Sequence, residues 1–130
     1  RGRVDQLSTA AEPVDLMIRN TRVLARASVR AIDLDEHVPP VATDSIRDLA
    51  AAVRSLDQHL GGAPRHSATR EAALRAAASA TAALDVTSNM AVSVIISQVR
   101  ATATDLLIGL GMTREEAVDE VRSARSRLDI

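Results

Sequence analysis

The sequence predicts an all-α fold, an antiparallel up-down bundle of about four helices, from three observations. Apolar residues recur at steps of three and four along several stretches. No run alternates with period two over a useful length. Short proline and glycine marks separate the stretches, and helices joined by short turns pack antiparallel.

The first helix is expected from about Glu12 to Asp35. Pro13 suits its first turn, where a missing N–H costs nothing. Val14, Ile18, Thr21, Ala25, Ser28 and Ile32 give an apolar stripe, widened by Met17 and Leu24. A short helical turn around Val4 to Ala10 is expected before the proline. His37-Val38-Pro39-Pro40 then stops the helix, because two successive prolines cannot both continue it.

The second helix is expected from about Ser45 to Leu60, capped by Asp44 or Ser45. Ile46, Leu49, Val53, Leu56 and Leu60 form a three-four ladder, the narrow seam of coiled-coil packing. Gly61-Gly62 suit the left-handed positions after a helix, with Pro64 following.

A long third helix is expected from about Ala68 to Leu110, with Ser67 as its cap. Its first half is Ala-dominated around Leu74 and Leu84. Its second half carries Val92, Ile95, Ile96, Val99, Leu106 and Leu107. Asp85-Val86-Thr87-Ser88-Asn89 are poor helix formers. A break near Val86 is left open, and one continuous helix is the reading. Gly109 and Gly111 end it. Thr113 with Glu116 makes a capping box for a last helix through Val118, Val121, Ala124 and Leu128.

Composition narrows the function. The 130 residues suit one domain, and a start at Arg1 suggests a piece of a longer or processed chain. Leu, Val and Ile total 33 and Ala 24, enough for a core of aliphatics. Phe, Tyr and Trp are absent. That disfavours base-stacking platforms and cages for quaternary ammonium ions. All 16 basic side chains are Arg and the net charge is −1, so no broad electrostatic drive toward nucleic acid or anionic lipid is expected. The absence of Cys excludes disulfides and thiolate metal sites. No signal peptide is visible. The most apolar run, Met90 to Gly111, contains Arg100 and Asp105, which argues against a transmembrane helix.

No catalytic, cofactor or metal site is expected. Gly61-Gly62-Ala63-Pro64 lacks the Lys-Ser/Thr of a phosphate loop, and a helix end explains its glycines better. His37, His59 and His66 show no zinc-ligand spacing and read as solvated loop residues. The six Glu lie near helix N-termini or on the last helix, without the Glu-x-x-His of bundle metal sites. The Ser and Thr residues resemble no nucleophile turn and suit close packing.

Two polar constellations remain. Arg19, Arg22, Arg26 and Arg30 recur on one face of the first helix. A solvated face is the commoner meaning; an anion or acidic-partner surface is the other. Asn89, Gln98, Arg100 and Asp105 lie in apolar surroundings, where polar groups need partners. Arg100 and Asp105 are five apart and do not face each other along a helix. An interhelical network is expected, reaching for example to Asn20 or Arg22.

Two stretches carry a resemblance: Arg19-Asn20-Thr21-Arg22-Val23-Leu24-Ala25-Arg26, and Gln98 to Leu107. With Val14-Asp15-Leu16 and Gly111, they resemble the soluble helical region of actinobacterial membrane proteins of the fusaric acid resistance (FUSC) and aromatic acid exporter type. The resemblance spans roughly Val4 to Arg122. It implies a non-enzymatic accessory or oligomerisation domain at the cytoplasmic face of the plasma membrane. Its partner would be the membrane-embedded part of the same parent chain, with or without a homo-oligomer. The alternative is a free-standing helical interaction or sensor module with an exposed apolar patch.

Overall fold

A computed structural model describes residues 2–60 and 66–130, with side chains placed for residue 12 and for residues 14–55 and 67–130. Its elements are five helices: α1 (Gly2–Asp33), α2 (Pro40–Leu60), α3 (His66–Ala83), α4 (Met90–Gly109) and α5 (Arg114–Leu128). No strand occurs among the described residues.

Helix α4 is the hub. It packs against α1, α2, α3 and α5, and α3 also packs against α2 and α5. A helix surrounded in this way must be apolar nearly all round. Val92, Ile95, Ile96, Val99, Leu106 and Leu107 are accordingly buried. It is the one helix among the described residues long and apolar enough to cross a membrane, yet 56% of that window lies inside the protein. Helix α3 reaches the same burial with small side chains. Ala73, Ala76, Ala77, Ala78, Ala80 and Ala83 are fully covered, so three neighbouring helices approach it closely.

The long third helix expected from the sequence is instead two, α3 and α4. The break falls in the Asp85–Asn89 stretch because that stretch supplies its own capping chemistry. Asn89 stands in extended backbone, and its side-chain oxygen accepts from the Val92 N–H at 2.8 Å. Its amide nitrogen donates to the His37 carbonyl at 3.2 Å, tying this turn to the end of α1. Asp85 pairs with Arg125, so the turn is also fastened to α5.

Three other boundaries differ from expectation. Helix α1 runs from Gly2 straight through Pro13, which therefore lies in a helix interior and leaves one carbonyl of the preceding turn without its donor. Helix α2 begins at Pro40, a first-turn position where the ring already has helical φ. The Pro39 carbonyl accepts from Ala42 at 3.0 Å, so Asp44 and Ser45 lie inside the helix and cap nothing. The Ser45 hydroxyl donates back to the Ala42 carbonyl at 2.7 Å. Helix α3 starts at His66, placing Ser67 in its first turn. The expected Gly61-Gly62 turn, His59, His66 and the Leu56 and Leu60 rungs of the α2 ladder lie outside the residues whose side chains are described. Of the remaining rungs Leu49 is buried, Ile46 partly buried and Val53 44% exposed.

The C-terminal ends of α1 and α4 share one motif. After α4, Met112 N–H donates to the Leu107 carbonyl and Gly111 N–H to that of Ile108, with Gly111 at φ 106°. After α1, Glu36 donates to Ala31 and Asp35 to Ile32, with Asp35 at φ 51°. Both are Schellman ends. At α5, Thr113 Oγ1 accepts from the Glu116 N–H at 3.1 Å, and the two side chains meet at 3.1 Å.

Candidate functional site

Helix α1 leans on α4 and on little else. The two run antiparallel: Asn20 meets Asp105, and His37 meets Asn89. The contact row on α1 is Met17, Asn20, Leu24, Ala27 and Ala31. This corrects the expected stripe. Ile18 is 49% exposed and Ile32 76%, and Thr21 and Ala25 also face solvent. The reason is size. Ala27 and Ala31 let the helices approach closely, and Asn20 is admitted because Asp105 satisfies it.

The larger aliphatics thus form a second, outward seam of Ile18, Ala25, Val29 and Ile32. The polar members of that flank are muted. Thr21 donates its hydroxyl to the Met17 carbonyl at 2.7 Å, and Ser28 to that of Leu24 at 2.9 Å, so each turns its polar group into its own helix.

The opposite flank of α1 borders a groove along the α1–α4 seam. At one end lies a cavity of about 680 Å³ lined by Val23, Arg26, Arg30, Leu34, Met90 and Val94 among others. Further along is one of about 400 Å³ between Leu16, Arg19, Ala101, Thr104, Arg114 and Val118, with Asn20 and Asp105 at its base. It shares Leu16, Asp105 and Arg114 with a cavity of about 270 Å³ that ends at Gly111 and Met112. It shares Ala101, Thr104 and Val118 with one of about 260 Å³ that reaches Arg100 and Arg122. Helix α5 walls this half of the groove.

The polar residues singled out in the sequence fall as follows. Asn20 Nδ2 donates to Asp105 Oδ2 at 2.9 Å, and both are buried. Burial raises the Asp105 pKa, opposed by the Arg114 and Arg19 charges and by the Asn20 hydrogen bond. Arg100 does not join them; it lines the α5 side, and its Nε is buried without a partner. Gln98 Oε1 is likewise buried and unpaired. Arg19, Arg26 and Arg30 line the groove, whereas Arg22 is exposed and lines none of its cavities. Sequence reasoning missed Arg114 and Arg122. They lie on α5, and only the packing of α5 beside α4 brings them to the groove.

No group of three or more His, Asp or Glu able to hold a metal ion occurs among the described residues. In comparisons with known proteins, the sequence matches no family model, no curated protein and no solved structure.

Proposed function

We propose that this chain is a non-enzymatic, partner-binding helical domain whose docking element is α1. The observation that carries this reading is the outward seam of Ile18, Ala25, Val29 and Ile32. A helix held by a single neighbour leaves a flank open, and here that flank carries an apolar row at heptad spacing. Isolated exposed aliphatics are ordinary, but a continuous row at helical spacing is what helix-on-helix recognition uses.

Site-specific photo-crosslinking in the native cell tests it. A crosslinker at Val29 is expected to yield a discrete adduct, while one at exposed Arg47 on α2 yields none. Equal labelling at both positions would sink the reading.

A narrower form is an accessory domain of a membrane transporter. It is supported by one placement. The two stretches that resemble the FUSC-type region are not merely present; they meet in space at Asn20 and Asp105. On this form the Val29 adduct is a membrane protein segment, and the native gene product sediments with membranes. A product found wholly in the soluble fraction argues for a free-standing interaction module instead.

A further inference from the structure

We infer that the α1–α4–α5 groove is a second docking site, built for an acidic amphipathic helix. This rests on the reading of the chain as a partner-binding domain but uses the other flank of α1.

The first argument is shape. From Ser97 to Gly111 the groove follows α4 for about 20 Å at 1.5 Å per residue. The cavity at Met90 and Val94 extends the same row. That is long for a small molecule and right for a helix of about four turns. Ser97, Ala101 and Thr104 on α4 are small and recur at steps of four and three, so they let a backbone come close. Leu16, Val23, Ile108 and Val118 give apolar contact beside them.

The second argument is charge. Six guanidinium groups border the groove: Arg19, Arg26 and Arg30 from α1, Arg100 from α4, Arg114 and Arg122 from α5. None of the six forms an ion pair or a side-chain hydrogen bond with any described residue. The surface arginines elsewhere do find carboxylates: Arg47, Arg70, Arg125 and Arg127 all pair. The carboxylates bordering the groove are Glu12, Glu36 and Asp105, and Asp105 is engaged by Asn20. Arg is the side chain suited to bidentate capture of carboxylates.

A third argument is the buried, unpartnered Arg100 Nε. A guanidinium half-withdrawn from water at the groove wall gains most from an anion delivered on a partner. A second copy of this chain docking through α1 is disfavoured at this site, because it would set the Arg19–Arg30 row against other arginines.

The test uses the whole chain and a labelled peptide helix of about 14 residues made of Leu, Ala and Glu, its Glu side chains flanking one Leu row. A copy with Gln for Glu is the control. Fluorescence anisotropy should show the acidic peptide binding at least about tenfold more tightly than the Gln copy, with affinity falling as salt rises. The double variant Arg100→Gln/Arg122→Gln should lose about tenfold, and Arg19→Gln/Arg114→Gln likewise, with unchanged helical circular dichroism. Amide NMR shifts on binding should map to Ala101, Thr104 and Val118. Equal binding of the two peptides, or wild-type affinity in both Arg variants, overturns the inference. Displacement of the peptide by millimolar inorganic phosphate would also overturn it, marking a small-anion site. A Val29 adduct without peptide binding would leave the partner-binding reading intact and remove only this groove.

Discussion

Asn20 and Asp105 lie 85 positions apart and meet at 2.9 Å, joining α1 to the hub helix α4 through a buried amide–carboxylate hydrogen bond. The contact is polar in a row otherwise built from Met17, Leu24, Ala27 and Ala31. It fixes the register of α1, since a slide of one turn would leave both groups buried and unpaired.

The carboxylate carries a cost that pH reveals. Burial raises the folded-state pKa of Asp105, against which the nearby arginines and Asn20 act only in part. A raised acid pKa means the folded chain holds this proton more tightly than the unfolded chain. Its contribution to stability is therefore greatest below the unfolded value of about 3.9 and declines as pH rises through the folded pKa. Asp105→Asn keeps an oxygen for Asn20 and removes the charge. It is expected to stabilise the protein at pH 7 by about 1 kcal/mol, roughly 3–5 °C in Tm, and to lose that advantage near pH 4. Thermal unfolding at the two pH values decides it, and an equal shift at both would show the charge to be irrelevant.

A double-mutant cycle separates the two partners the sequence suggested for Asp105. Asn20→Ala and Asp105→Ala should couple by about 1 kcal/mol, because each removes the same hydrogen bond. Arg100→Ala and Asp105→Ala should be additive within about 0.5 kcal/mol, since Arg100 points to the α5 side. Urea denaturation of the four variants in each cycle measures both.

Much of the fold was readable because local chemistry decided it. The Thr113 cap, the glycine end of α4 and the proline stop after α1 each rest on one or two residues. The face of α1 was not readable, because two rows of similar spacing compete and only the neighbour chooses between them. The smaller row, with Ala27, Ala31 and Asn20, won because α4 offers Asp105 and close approach; the larger aliphatics at Ile18 and Ile32 stayed outside. The break before α4 was misjudged by weighing helix propensity while overlooking that Asn89 caps whatever follows it. The Arg face was visible on α1, but its counterparts Arg114 and Arg122 came from another helix, where no spacing rule reaches.

Asn89 has two duties, and its loss should show both. Asn89→Ala removes the acceptor for the Val92 N–H and the donor to the His37 carbonyl. A destabilisation of about 1–2 kcal/mol is expected. Asn89→Asp retains the acceptor and should recover at least half of it. Hydrogen exchange at Val92 should accelerate in the Ala variant; an unchanged rate would mean the cap contributes nothing.

The matched ends of α1 and α4 give an opposed pair. Asp35 sits at positive φ without the freedom of glycine, so Asp35→Gly is expected to stabilise by about 0.5–1 kcal/mol. Gly111→Ala is expected to cost about 1–2 kcal/mol. Nothing lies within 4 Å of a Cβ built there, so the cost is one of backbone conformation alone. Chemical denaturation of both variants checks the signs, and a neutral Gly111→Ala would refute the strain argument.

The Ala-lined face of α3 should resist enlargement more than the Leu-rich hub resists truncation of any one contact. Ala77 is fully buried among Ala73, Ala76, Ala78 and Ala80, on a helix pressed by α2, α4 and α5. Packing at that density has no space for three more carbons. Ala77→Leu is expected to cost about 1–3 kcal/mol, through displaced helices rather than a lost contact. Ala77→Gly would cost about 1 kcal/mol by helix propensity with little change in packing. Comparing the two by thermal unfolding, with amide NMR shifts to follow displacement of α2 and α5, distinguishes tight packing from a loose seam. In a loose seam Ala77→Leu fills empty space and raises the Tm, the reverse of the outcome expected here.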